Sequence, residues 1–254
     1  MEFFVDQQSV VRKIWGKADT ILFVFAGASA EFALNKAVDW LYFTGRLPSD
    51  PLGRLFSTVL YARKIVFSEK GDALKAIDQI TGIHKAVEKN RGDKIPDWAY
   101  RDVLFMLIHY SRASFELLER KLTEPEKEDL FDVFYRMGER MGLKDLPKNY
   151  NEWLLMQKTH LEQDLIKSNF TTDLFKQYKK HLGPVRYKIL LESQKLVVPQ
   201  HVRQLLGLGK NSLVSPLLFI YKLSRRFKID RFMRSILLPG TYKKEINDLD
   251  ILPS

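Results

Sequence analysis

The sequence predicts an all-α fold, a single globular domain of roughly ten helices, and three observations carry that prediction. Apolar residues recur at three- and four-residue intervals along almost the whole chain, the spacing of one helix face. Period-two alternation, the mark of a half-buried strand, survives only in short pieces. Helix start and stop signals punctuate the pattern: Asp50-Pro51, Thr123 with Pro125, and Pro199 as starts, Gly45 and Gly142 as ends.

In chain order, "QQSVVRKIWGKADTILFVFAG" opens with an amphipathic turn and passes into an apolar, buried helix. "AEFALNKAVDWLYFTG" keeps helical spacing as far as Gly45. Asp50 as N-cap and Pro51 at the first helical position set a helix over about 51–67, and another follows over about 70–90. "IPDWAYRDVLFMLIHYSRASFELLERKL" is the longest strongly apolar helix. "TEPEKEDLFDVFYRMGERMG" starts at the Thr123 cap, with Glu124, Glu126 and Glu128 where the helix dipole favours negative charge. "NYNEWLLMQKTHLEQDLI", "TTDLFKQYKKHL" and "LLESQKLVVPQHVRQLLGLG" complete the set. With no internal repeat and no low-complexity linker, residues 1–254 read as one domain.

The 254 residues are 45% hydrophobic and 12% aromatic, enough to bury a substantial core. The chain has no cysteine, which excludes disulfides, thiolate catalysis, iron–sulfur clusters and cysteine zinc sites together. "MEFFVDQQ" lacks the basic-then-apolar layout of a signal peptide. The best candidate for a membrane span, "TILFVFAGASA" between Asp19 and Glu31, is too short for a bilayer, which takes about 20 residues. A cytoplasmic protein, soluble or resting on a membrane surface, is the expectation.

Charge is distributed unevenly. Residues 1–150 hold 23 Lys/Arg against 22 Asp/Glu, whereas residues 151–254 hold 18 against 9. The excess gathers in a basic amphipathic segment over 212–240, above all in "YKLSRRFKIDRFMRSILLP". One reading is a solvated amphipathic helix. Another is peripheral contact with an anionic membrane through Arg225, Arg226, Arg231 and Arg234, since aliphatic and aromatic residues alternate with the cations. Nucleic acid is not an expected partner, because no binding module or aromatic single-strand platform is present.

The chain has no phosphate-cradling glycine loop, no G-x-S-x-G elbow and no H-E-x-x-H. Its histidines, His84, His109, His160, His181 and His201, are dispersed, so local spacing marks no zinc site. What remains is a set of polar residues within apolar helices. Arg54 and Thr58, four apart, share a helix face. His84 falls on the stripe formed by Ile77, Ile80 and Val87, and His109 lies within "VLFMLIHYS". A core histidine with its ring nitrogens hydrogen-bonded accounts for His84 on spacing alone. If the four residues converge, they suit a single-imidazole ligand for a large apolar cofactor, haem foremost, with an arginine for a carboxylate or a polar distal group. Arg54 could equally pair with an acid, and Thr58 could bond back to its own helix.

These segments together resemble the MpaB and rubber-oxygenase (latex clearing protein) family. Its D-P-x-x-R-x-x-x-T pattern is matched by Asp50, Pro51, Arg54 and Thr58, and its H-x-x-V by His84 and Val87. A second histidine in an apolar helix is matched by His109, and a late P-x-x-x-R-x-x-x-G by Pro199, Arg203 and Gly207. The similarity is ordered and spans about residues 20–210. The family's glycine soon after H-x-x-V is displaced to Gly92, and a frequent His-Pro is replaced by Asn35-Lys36.

The resemblance implies an all-α fold holding haem b, with His84 as the iron (metal) ligand and Arg54, Thr58 and His109 as cofactor-site residues. Arg54 and Thr58 are then the catalytic candidates. Dioxygen and an apolar small molecule or prenyl chain with a carbon–carbon double bond are the expected co-substrates. Glu31 is the one suggestion for a catalytic base, against the more ordinary reading of a helix-end or surface glutamate. The alternative function is a non-enzymatic haem or small apolar-ligand binder of the same fold, with or without a membrane-peripheral location.

Overall fold

A computed structural model describes residues 2–45, 49–213, 215, 216, 218 and 221. Ten helices are defined among them: α1 (Val10–Trp15), α2 (Ala18–Phe32), α3 (Val38–Phe43), α4 (Pro51–Phe67), α5 (Lys70–Arg91), α6 (Asp97–Leu118), α7 (Glu124–Met141), α8 (Tyr150–Gln163), α9 (Asn169–Val197) and α10 (Gln200–Leu206). The described residues hold no strand, only the isolated bridges Phe3–Glu69 and Asn35–Leu165. The all-α prediction holds.

Local signals set most boundaries where expected. Asp50 accepts a hydrogen bond from the Gly53 amide at 2.9 Å and caps α4, with Pro51 at its first position. Thr123 and Glu126 form a reciprocal capping box at the start of α7, which ends on the left-handed Gly142 (φ 79°). Pro199 precedes α10, which ends on Gly207 (φ 67°).

The stretch expected to run as one helix to Gly45 is instead broken over residues 33–37, between α2 and α3. Long-range pairing competes successfully with helix continuation there. The Ile166 amide donates to the Leu34 carbonyl at 2.7 Å, and the Lys36 amide to the Asp164 carbonyl at 2.9 Å. Asn35 Oδ1 then accepts from the Ala37 amide at 2.8 Å, a local turn bond that ends the helix. The exits of α2 and α8 are thereby zipped together. Gly183 (φ 73°, ψ 169°) and Pro184 divide α9 into two arms, in keeping with the separate segments "TTDLFKQYKKHL" and "LLESQKLVVPQHVRQLLGLG" read from the sequence.

α2 is the hub. It packs chiefly against α6 and α9, with α1 and α10 also against it. The main core includes Ile14, Trp15, Ile21, Ile65, Ile77, Ile108, Phe134 and Trp153, all essentially solvent-free. A smaller core joins Ala33, Val38 and Leu52 to Leu174, Tyr178 and Leu182 of α9.

α4 and α5 form a helical hairpin across the short connection Ser68–Glu69. α5 is pinned at both ends: Arg91 pairs with Asp39 at 2.7 Å and stacks over Trp40, and Lys70 pairs with Glu2 at 2.6 Å. Arg140 of α7 holds Asp78 through two bonds of 2.8 and 2.7 Å.

Arg225, Arg226, Arg231 and Arg234 lie outside the described residues. Of the basic segment over 212–240, residues 212, 213, 215, 216, 218 and 221 are described, and the Tyr221 hydroxyl donates to Asp19 Oδ2 at the start of α2 at 3.1 Å. No helix among the described residues is long and apolar enough to cross a membrane.

Candidate functional site

The hairpin explains why Arg54 and His84 meet. Each lies about fifteen residues from the turn, roughly 22 Å along its helix, so antiparallel packing sets them side by side. His84 is half-buried, its ring edge-on to Tyr100 of α6 with centroids 5.1 Å apart. Its Nδ1 is sealed from solvent and has no hydrogen-bond partner. Burial, reinforced by the Arg54 charge and opposed by Glu88, pushes the imidazole down to about 4. Near neutral pH this ring is uncharged, with a nitrogen that nothing satisfies. Glu88, one turn further along α5, accepts from the Tyr100 hydroxyl at 3.1 Å and the Ile95 amide at 3.0 Å.

Thr58 is exposed, and its Oγ1 donates back to the Arg54 carbonyl at 3.2 Å, the helix-internal bond open to threonine. His109 is buried on α6 in different surroundings from His84. It stands edge-on to Tyr110 at 4.9 Å and faces the Gln157 side chain, the Val197 carbonyl, Glu31 and Arg112. Burial pushes it down to about 4. Arg54 and His84 therefore share one locality, Thr58 borders solvent on the same hairpin, and His109 belongs to the core around α2.

That core holds a polar cluster which local spacing did not mark. Glu31 lies at the end of α2, as the ordinary reading has it, but it is fully buried rather than on the surface. Its Oε2 accepts from the Tyr110 hydroxyl at 2.6 Å, and its Oε1 lies 3.0 Å from His160 Nε2. His160 Nδ1 sits 2.9 Å from Asp102 Oδ1 and 3.5 Å from Asp164 Oδ2. Asn35 Nδ2 donates to the other Asp102 oxygen at 2.8 Å. Burial alone would lower His160, but Asp102 and Glu31 outweigh it and raise the imidazolium to about 10. Asp164 is raised by its own burial and by Asp102.

The ligand atoms of Asp102, His160 and Asp164 all lie within 4.8 Å of one another. They come from α6 and the end of α8, so the dispersal of the histidines along the chain conceals a cluster in space. An open depression of about 670 Å³ between α1 and the end of α6 is lined by Arg12, Lys17, Phe115 and Glu119, and touches neither histidine site.

The model of a family described as "ER-bound oxygenase mpaB/B'/Rubber oxygenase, catalytic domain" matches residues 13–226. No curated protein and no solved structure shows significant similarity to the chain.

Proposed function

The chain belongs to the MpaB/rubber-oxygenase catalytic-domain family, and from that premise we propose that it is a haem b-dependent oxygenase acting with dioxygen on an apolar alkene, an isoprenoid among the candidates. The observation that carries the reading is His84, a neutral imidazole whose buried Nδ1 lacks a partner beside a half-buried arginine.

The donors fit the group. A b-type haem needs one imidazole lone pair, and the local field keeps the His84 lone pair free of a proton. Its carboxylates need a cation, and Arg54 supplies one on the neighbouring helix. When bound, haem supplies the oxygen chemistry, which no side chain here can perform. The protein's share is ligation by His84, charge neutralisation by Arg54, and ring packing by Tyr100, whose hydroxyl is fixed by Glu88. Leu60 on α4 and Ile83 on α5 are 51% and 41% exposed, apolar surface on the hairpin that an apolar ligand would cover.

A haem binder without turnover is the second reading. Thr58 favours it, since its hydroxyl is engaged by its own helix rather than directed at His84. Membrane contact through the arginines of the C-terminal segment is compatible with either reading.

Titrating the purified protein with haemin tests the proposal. A saturable Soret band that His84→Ala weakens or shifts supports it, and consumption of dioxygen with a prenyl alkene selects turnover. A protein that takes up no haemin, or takes it up unchanged in the variant, refutes haem ligation by His84.

A further inference from the structure

We infer that Asp102, His160 and Asp164 form a binding site for one first-row divalent cation of the manganese-to-zinc series, separate from His84.

The imidazole is built as a ligand. His160 is 2% exposed, and its Nε2 is committed to Glu31 at 3.0 Å, leaving Nδ1 to face Asp102 and Asp164. Without a metal, Nδ1 lies 2.9 Å from the Asp102 oxygen in an ion pair, with the ring proton held between them. A cation would take the place of that proton, accepting the Nδ1 lone pair between the Asp102 and Asp164 carboxylates, which are already gathered around it. A carboxylate holding the far ring nitrogen is the usual support of a metal-bound histidine, because it fixes tautomer and ring orientation.

Spacing agrees. Around a metal with N/O bonds of about 2.0–2.2 Å, neighbouring ligand atoms stand about 3.0–3.5 Å apart. The Nδ1 separations of 2.9 and 3.5 Å fall at that scale, and all three ligand atoms lie within 4.8 Å of one another.

The next layer is ordered as well. Asn35 Nδ2 holds the second Asp102 oxygen at 2.8 Å, and the Tyr110 hydroxyl holds the second Glu31 oxygen at 2.6 Å. Asp164 is 26% exposed and gives a path from solvent. One imidazole and two carboxylates, with no sulfur, suit zinc, iron(II), cobalt(II) or manganese rather than copper(I). The pairing of residues 34–36 with 164–166 brings the ends of α2 and α8 together at this point, so a bound cation would lock α2, α6 and α8.

The experiment titrates chelator-treated full-length protein with cobalt(II) and zinc, following calorimetry, the cobalt absorption bands and thermal unfolding. One equivalent binding to wild type and to His84→Ala alike, with a raised Tm, is expected. Asp164→Asn should weaken binding by tenfold or more, and Glu31→Gln by about 10- to 100-fold. In cobalt-loaded wild type, a hyperfine-shifted, slowly exchanging ring N–H from His160 is expected, a signature that needs no variant to fold. Absence of stoichiometric uptake by wild type, or uptake that Asp164→Asn leaves unchanged, overturns the inference. Haemin binding is measured separately, so failure of either site leaves the other standing.

Discussion

The ring of Tyr110 occupies the space that a β-carbon on Gly27 would need: such an atom would stand 2.1 Å from Cδ1. This close approach between α2 and α6 lets the Tyr110 hydroxyl reach Glu31 one turn further along. The glycine is thus the structural precondition of the buried cluster. Gly27→Ala should destabilise the protein by about 1–3 kcal/mol through overpacking, lowering Tm by about 2–4 °C for each kcal/mol. Tyr110→Phe keeps the ring and leaves Glu31 Oε2 without its donor, at a cost of about 1–3 kcal/mol. Urea unfolding of both variants checks the pair; a neutral Gly27→Ala would contradict the close packing.

The acid limb of the stability curve should depend on Glu126. Its carboxylate receives two bonds of 2.7 Å from Arg120 and others from Thr123, and the Arg120 bond leads in holding its pKa down to about 2. Because the folded value lies below the unfolded one, the stabilisation is complete above about 4.5 and disappears as pH falls toward about 2. Glu126→Gln should lose stability at pH 7 and show a flatter decline below pH 4.5. Chemical unfolding at several acidic pH values reads this, and parallel curves would contradict it.

How much of this was legible in the sequence depends on the range of each signal. The α4 cap at Asp50-Pro51 and the Thr123–Glu126 box are formed by residues within a turn of each other, so they could be read directly. Arg54 and His84 read from the sequence only as two of four residues that could converge; the two-residue connection between α4 and α5 is what sets this pair side by side. The break at Asn35 was not legible, because Leu34, Val38 and Leu41 continue the helical period across it while the competing partner lies at 164–166. Glu31 and His160 are separated by 129 positions. A contact of that range leaves no spacing motif; the one available hint was an acid inside an otherwise apolar run.

A second pH effect should come from His109. The groups facing it are Glu31 on α2, Arg112 on α6, Gln157 on α8 and the Val197 carbonyl at the end of α9. Burial lowers the folded pKa to about 4 from 6.5, so its neutral form is what folding requires. The associated stability is complete above pH 6.5 and is lost as pH falls toward about 4, by an amount on the order of 3 kcal/mol. His109→Gln removes that titration. The difference in stability between wild type and variant, measured at pH 7.5 and pH 5, should therefore shift in favour of the variant at the lower pH. A pH-independent difference would mean that the ring titrates in the fold as it does in the unfolded chain.

The α4–α5 hairpin makes a prediction that separates its two polar residues. Arg54 is half-buried, and its charge is felt at His84, whereas Thr58 is exposed and bonded to the Arg54 carbonyl at 3.2 Å. Under the proposed haem reading, Arg54→Ala removes the cation that neutralises a haem carboxylate and should weaken haemin binding about tenfold, the scale of one charge-assisted hydrogen bond. Thr58→Val removes only a bond internal to one helix and should leave haemin affinity within about twofold, since such back-bonding contributes little to a helix. Affinities from Soret titration of the two variants decide between them. If Thr58→Val weakens binding as much as Arg54→Ala, the hydroxyl must leave its own carbonyl when the cofactor enters, and the hairpin would be shaped by its ligand.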